Sequence, residues 1–251
     1  MNKKVLLITG WAWYIGSHAV VEFERQGYQT VIIDNLINSS EASIDGIANI
    51  LHWYRPDFYE TDIRDEKSLR WIFERYTFDG VIHLAWLKAV WESCEKPLEY
   101  YDNNVIWSIK LFKLMEEYNV RNIIFSSSAT VYTINTPFLH GLWESDSAGM
   151  TTNPYASTKY LTEEIIKKLT ENSRFRGISL RYFNPIWAHE SGFIGENPRA
   201  IPNNLMPYVM KVVMGELDTI RIFGSDYPTR DGTGIRDYID VNDLTRWHVA
   251  A

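Results

Sequence analysis

Lys4-Val5-Leu6-Leu7-Ile8-Thr9-Gly10 is an apolar run ending in a turn residue, and Trp11-Ala12-Trp13-Tyr14-Ile15-Gly16-Ser17-His18 carries it into a helical pattern. A buried strand, a short loop and a helix in that order open a βαβ unit. Gly10 and Gly16 are the outer glycines of G-x-x-G-x-x-G, the spacing that brings a dinucleotide-binding backbone against a pyrophosphate. The middle position is Trp13, whose indole would fill the space the phosphates need. The same loop announces a nucleotide site and obstructs it.

The alternation continues outward. Val5–Thr9 reads as a strand, Ser17–Arg25 as a helix ended by Gly27, and Gln29–Asp34 as a second strand. Asp62 closes another short strand, Glu66–Tyr76 is an amphipathic helix, and Gly80–Ala85 is again a strand. Leu98–Tyr118 reads as one long helix, Asn122–Ser127 as a strand, Tyr155–Leu169 as a helix and Gly177–Tyr182 as a strand. The expectation is an α/β fold: a Rossmann-like, doubly wound parallel sheet with helices on both faces. From about Phe183 the connections become rich in Pro, Asn and Gly around one helix, Asn204–Met214. Residues 1–182 are therefore expected to form the dinucleotide-binding domain and 183–251 part of a smaller one. The helix-like run Trp247-His248-Val249-Ala250-Ala251 has neither cap nor tail, so a truncated C-terminus is expected.

A net charge of −7 and a pI near 5.4 argue against nonspecific nucleic-acid binding, which uses a basic face. Cys94 is the only cysteine, which excludes an internal disulfide and suits a reducing compartment. No apolar run approaches the ~18 residues of a membrane span. A cytoplasmic location is expected.

Three groups carry chemistry. Asp34 ends the second strand 18 positions after Gly16, where a carboxylate can bind both hydroxyls of an adenosine ribose and favour NAD over NADP; it could equally cap a turn. Asn35, Asn38 and Ser39 stand beside it. Tyr155 and Lys159 form Y-x-x-x-K, which places both on one helix face, where an ammonium lowers the phenol toward the range of a general base. Such a pair is also common on surfaces. Ser128 follows an apolar strand, at the carboxyl edge where open α/β sheets bind ligands, and can donate to a substrate oxygen or cap a turn.

Together these pieces resemble the extended short-chain dehydrogenase/reductase superfamily and, within it, the UDP-glucose 4-epimerase family. The resemblance is carried by Tyr14 to His18, Asp34-Asn35-Leu36, Lys96 to Asn104, Phe125 to Tyr132, Leu180 to Pro185, Ile201 to Pro207 and Asp231 to Tyr238. It implies an NAD-dependent isomerase of galactose and wider carbohydrate metabolism, acting as a homodimer on a nucleotide sugar. UDP-glucose and UDP-galactose would interconvert by oxidation at C4, rotation of the 4-keto sugar and return of hydride to its other face. By the same resemblance Gly10, Trp13, Tyr14, Ile15 and Gly16 line the NAD pyrophosphate. Asp34, Asn35, Asn38 and Ser39 take the adenosine ribose, and Asp62 and Ile63 the adenine. Leu84, Ala85, Trp86, Leu87, Lys88 and Asn103 pass the rest of the cofactor. Ser128, Tyr155 and Lys159 are the implied catalytic group and also meet the cofactor; Ser128, Tyr155 and Lys88 meet the sugar as well. Phe183 and Asn184 bridge cofactor and sugar. Asn204, Leu205, Arg221, Ile222, Phe223 and Arg236 hold the uridine diphosphate. The dimer is expected through Leu98–Tyr118 and Tyr155–Leu169.

A nucleotide-sugar 4,6-dehydratase shares the loop and the Tyr/Lys pair but uses an acidic pair after the catalytic hydroxyl residue, where this chain has Ala129-Thr130. A cofactor-free pseudoenzyme acting as a binding module is the reading from another class. The resemblance also implies glycine at Trp11, Trp13, Trp86, Trp91, Trp107, Trp187 and Trp247, while Trp53, Trp71 and Trp143 have no such counterpart. Random decay would scatter these changes and would spoil the catalytic residues too. The expectation is that UGA codons, decoded as glycine in the source, stand here as tryptophan. Seven restored glycines would move the glycine share from just below to just above the roughly 7% average.

Overall fold

The computed structural model describes residues 3–10, 14–37, 41–133, 141–198, 202, 204–222 and 224–251. Six parallel strands form one sheet: β1 (Val5–Thr9), β2 (Gln29–Asp34), β3 (Asp57–Glu60), β4 (Gly80–His83), β5 (Asn122–Ser128) and β6 (Arg176–Tyr182). Their order is β3-β2-β1-β4-β5-β6, so the winding reverses between β1 and β4. That reversal opens a crevice at the carboxyl ends of the strands, where this architecture takes its ligands.

Strand periodicity explains the layers. Leu7, Val31, Ile33, Val81 and Ile123 point to one face of the sheet, against Leu69, Ile72, Leu111 and Ile166. Leu6, Ile8, Ile32 and Ile82 point to the other, against Ala19, Val20, Ile44 and Ile47. The first face is covered by α3 (Glu66–Arg75), α6 (Trp107–Glu117) and α7 (Pro154–Asn172), the second by α1 (Tyr14–Arg25) and α2 (Ala42–Ile50). Both core layers are apolar, so the near-continuous hydrophobic runs of the strands are those of a doubly covered parallel sheet.

One expectation needs correction, and other elements were not anticipated. The helix expected over Leu98–Tyr118 is broken into α5 (Pro97–Tyr101), a π-helical turn (Asp102–Ile106) and α6, with α4 (Val90–Glu95) before them. The widened turn carries Asn103 and Asn104 into the interior, consistent with the habit of π-bulges to occur where side chains serve a site. The helix α2, rich in small and branched residues, was not anticipated. After β6, a two-stranded parallel sheet pairs β7 (Asn184–Ile186) with β8 (Tyr238–Asp240), and α9 (Val241–Ala250) follows. The one helix expected in this stretch is α8 (Leu205–Val213). Three-residue strands are too short to show an alternation, which is why β7 and β8 were missed. The helix α9 packs on α1, burying Val241, Leu244, Thr245 and His248, and the Tyr182 hydroxyl meets His248 Nε2 at 2.5 Å.

Candidate active site

The floor of the crevice begins at Gly10. Its φ is +71°, and a Cβ there would lie 2.3 Å from the Ala85 Cα, so only glycine lets the β1 and β4 ends approach this closely. Thr9 secures the approach, its hydroxyl accepting the Leu84 and Ala85 amides at 3.3 and 3.2 Å. Asp34 stands half-buried at the end of β2 and accepts the Leu36 amide at 2.7 Å. Asn35 donates to Asp62 at 2.8 Å, and Arg64 grips the same carboxylate through two 3.0 Å bonds. Burial pushes Asp62 upward, but the hydrogen bonds from Arg64 and Asn35 prevail and hold it below the usual range. Ile63 is buried in the adjoining core. Trp13, Asn38 and Ser39, expected along this floor, lie outside the described residues, as does Phe223.

The segment Leu84–Lys88 is held from below. Asn104, from the π-helical turn, accepts the Leu87 amide and donates to the Leu87 carbonyl, both at 3.0 Å. It also reaches Thr158, whose hydroxyl donates to the Tyr155 carbonyl at 2.7 Å. From Thr9 a second chain runs through His83 Nδ1 (2.8 Å) and Nε2 to Ser108 (2.9 Å) and the Asn104 carbonyl. Burial draws His83 down to about 3, with Lys159 adding to the effect, so it serves as a neutral hydrogen-bonding link. Asn103 is nearly buried and donates to Asn104 at 2.9 Å.

The wall of the crevice is β5 and α7. Asn153 caps α7 by accepting the Ala156 amide at 2.9 Å, and Pro154 occupies the first helical position. Tyr155 and Lys159 then fall on the inner face, as the i, i+4 spacing predicts, with Lys159 Nζ 5.8 Å from the Tyr155 ring centroid. Lys159 is buried and donates to the Ser126 carbonyl at 2.5 Å. Ser128 lies beside the Tyr155 phenol and favours its ionised form, so the three expected catalytic residues form one cluster. Burial raises the Tyr155 phenol and the Ser128 contact lowers it; burial likewise draws Lys159 well below its usual range, opposed by Glu163. Desolvation thus drives both groups toward their uncharged forms, and neighbouring polar groups resist it.

On the other side of the crevice, Lys88 keeps an exposed flank while surrounding protein draws its ammonium down to about 8, opposed by the Glu196 carboxylate. Asn204, the N-cap residue of α8, donates to Glu196 at 2.5 Å, and Asn184 donates to the Asp237 carbonyl at 2.8 Å. Phe183 and Leu205 are exposed beside these groups in sequence. Arg221, Ile222 and Arg236 are exposed, with Arg236 donating to the neighbouring Ile235 carbonyl at 2.8 Å. Sequence reading missed Glu163, Asn104, Thr158, His83 and Glu196. The signal for Glu163 was present, because it lies one turn beyond Lys159 on the same helix face.

The tryptophans divide into two sets. Trp86 lies inside the site: Lys159 Nζ sits 4.1 Å from its ring centroid, and its buried indole nitrogen has no hydrogen-bond partner among the described residues. Trp187 has φ +74°, a left-handed backbone that suits glycine and strains a bulky residue. Its carbonyl accepts the buried Tyr14 hydroxyl at 2.5 Å, so the segment is anchored in that conformation. Trp91, Trp107 and Trp247 sit on helices with at least partly open surfaces. Trp11 lies outside the described residues with Trp13.

Residues 6–251 match the model of the NAD dependent epimerase/dehydratase family. The chain is 48% identical to a UDP-glucose 4-epimerase of Yersinia enterocolitica, covering 98% of itself and 72% of that protein. It is equally similar, at 48%, to the bifunctional protein gal10 of Schizosaccharomyces pombe, of which it spans 35%. A crystal structure of UDP-glucose 4-epimerase from Bifidobacterium longum in complex with NAD+ and UDP superposes with a TM-score of 0.93 at 45% identity, covering 98% of this chain and 73% of that one. The chain therefore belongs to the NAD dependent epimerase/dehydratase family.

Proposed function

We infer that this chain is an NAD-dependent UDP-glucose 4-epimerase, interconverting UDP-glucose and UDP-galactose. The observation that carries the reading is the Ser128–Tyr155–Lys159 cluster at the carboxyl edge of the sheet, with Lys159 buried and Ser128 and Tyr155 half-buried, in a chain that matches epimerases over nearly its whole length. A 4,6-dehydratase is not favoured.

Gly10 and Asp34 fit the adenosine half of NAD, a left-handed glycine at the loop and a half-buried carboxylate at the end of β2. At the nicotinamide half, Lys88, Asn103, Ser128, Tyr155 and Lys159 fit once Lys159 is uncovered, which glycine at 86 would achieve. We therefore take glycine as the native residue at all seven positions, Trp11, Trp13, Trp86, Trp91, Trp107, Trp187 and Trp247. When bound, NAD supplies reversible oxidation at the sugar C4. Tyr155 Oη takes the proton of the 4-hydroxyl and later returns it, while Ser128 Oγ holds the 4-oxygen in hydrogen-bonding reach. Lys159 stabilises the Tyr155 phenolate through its charge. Lys88 and Asn184 orient the sugar. Residues 183–251 supply the diphosphate side, with Asn204, Leu205, Arg221, Ile222, Phe223 and Arg236 closing on the ligand. A homodimer is supported by exposed Leu98, Ile106 and Leu161 on adjoining elements of the α5–α7 surface.

The test is to express the gene with glycine at the seven positions, release the cofactor and assay conversion of UDP-galactose to UDP-glucose. Stoichiometric NAD with turnover is expected. A chain that binds neither NAD nor the sugar nucleotide would overturn the reading.

A further inference from the structure

Three consecutive serines of β5 each engage α7. Ser128 meets Tyr155, the Ser126 carbonyl accepts Lys159, and the Ser127 hydroxyl donates to Glu163. Tyr155, Lys159 and Glu163 are spaced four apart, so one face of α7 is laced to one strand end turn by turn. The third tie is also the most constrained. Ser127 is the register partner of Arg181 on β6, and the two converge on the same carboxylate. Arg181 grips it with both ends of its fork, Nε to Oε1 at 3.0 Å and Nη2 to Oε2 at 2.7 Å. Glu163 is nearly buried, and such a charge is tolerated only when fully partnered. Arg181 in turn lies over the Tyr132 ring at 4.6 Å, on the segment that leaves the turn after Ser128.

We propose that Glu163 is a positioning residue for the C4 chemistry: pinned to β5 and β6 by Ser127 and Arg181, it fixes the seat of Lys159 and Tyr155 against Ser128 and provides the counter-charge to the Lys159 ammonium. The proposal rests on the reaction inferred above. Apart from the Trp86 ring, which glycine at 86 would remove, Lys159 is walled by the Phe125 and Tyr155 rings and the neutral His83, none of which offsets its desolvation by charge. Glu163 is the anion that does, and Arg181 keeps that anion in place. An ion pair that served stability alone could stand anywhere on α7; this one stands one turn from the reacting pair.

The experiment compares the holoenzyme carrying Glu163→Gln, Ser127→Ala and the double change Glu163→Gln with Arg181→Gln, the last leaving no unpaired guanidinium should the single change fold poorly. In Glu163→Gln, kcat should fall about 10- to 100-fold with KM changed less than about twofold and NAD content retained. Ser127→Ala should cost several-fold in kcat. The Lys159 side-chain NMR signal, identified by its loss in Lys159→Arg, should titrate at lower pH without Glu163, because its charged form loses its counter-ion. Glu171→Gln, which breaks the surface pair with Lys168 on the same helix, should leave activity unchanged. The proposal falls if Glu163→Gln keeps wild-type kcat and an unmoved lysine titration, with only thermal stability altered. It also falls if the double variant recovers wild-type kcat, since the loss would then belong to an orphaned Arg181. Should the parent chain show no epimerisation, the reaction reading fails instead, and the lysine titration still decides the hold of Glu163 on Lys159.

Discussion

The wall and the floor of the crevice are built on different principles. The wall, β5 and α7, positions its chemistry through side-chain hydrogen bonds, and every partner needed is present in this chain. The floor, from the β1 end to the Leu84–Lys88 segment, depends on backbones coming close, as Gly10 and Ala85 do. A side-chain lattice tolerates change elsewhere in the protein, whereas close backbone approach is destroyed by a single added side chain. Of the seven tryptophans at expected glycine positions, the two that conflict with the described geometry, Trp86 and Trp187, lie on the floor side or at its border; Trp53 shares the left-handed backbone but not the expected glycine. Loss of function would be expected to erode both regions. A decoding difference falls on glycine codons wherever they are, and does harm only where the backbone or the cofactor relies on glycine.

The largest expected effect tests the wall. Tyr155→Phe removes the hydroxyl that moves the proton and should lower kcat about 10²- to 10⁴-fold in the glycine-restored chain, with NAD still bound. Retained turnover would show that the proton moves elsewhere. The next effect tests the floor. Trp86→Gly and Trp13→Gly together should raise NAD affinity at least about tenfold over the tryptophan-bearing chain, measured by cofactor retention on dilution, since 1.4 kcal/mol suffices for that factor. The coding DNA gives an independent reading: UGG at the seven positions would end the recoding argument. Gly10→Ala should cost about 1–3 kcal/mol of stability from the left-handed backbone alone, before the clash with Ala85 is counted. Thermal denaturation checks it, and a neutral result would mean the β1 and β4 ends are not locked together as the contacts indicate.

Lys88 separates the two regions by pH. Its ammonium is charged below about 8 and loses its proton as pH rises through that value. If it orients the sugar, KM for the UDP-sugar should rise severalfold above that pH, while kcat follows the wall. The Lys88→Met variant should lack this rise. Because the folded pKa is depressed, the proton is unfavourable to the fold below about 8. Stability should therefore climb slightly between there and the ordinary lysine range.

How much of this could be read from the chain follows the same division. The sheet was legible because its central strands β1, β2 and β4 are buried apolar runs bounded by turn residues, and the Y-x-x-x-K pair because helical spacing alone puts both groups on one face. The break in the long helix was not legible: Asp102–Ile106 holds no helix-breaking residue, and the π turn shows only in the structure, where Asn103 and Asn104 are buried. Nor was the carboxylate at Glu163 weighed, since its partners Ser127 and Arg181 are far away in sequence and become neighbours only through strand register. The roles given to Arg221, Ile222 and Arg236 came from resemblance, and in the described geometry these residues stand open to solvent.

The smallest effects sharpen the division between the two sets of tryptophans. Trp91 and Trp247 lie exposed on α4 and α9, and the Trp91 indole donates to Glu95 at 3.2 Å on its own helix. Glycine at either place relieves no strain and opens no cleft, so it should cost roughly 0.5–1 kcal/mol of helix propensity and leave NAD binding alone. The sign is the informative part. If glycine is native at all seven positions, restoring it at 91 or 247 slightly weakens the fold, whereas restoring it at 86 improves the cofactor site and at 187 relieves a strained backbone. One substitution type would then have opposite consequences, set by whether the backbone or the cofactor needs the room. Equal effects at all positions, by denaturation and cofactor retention, would mean the floor does not use its glycines as proposed.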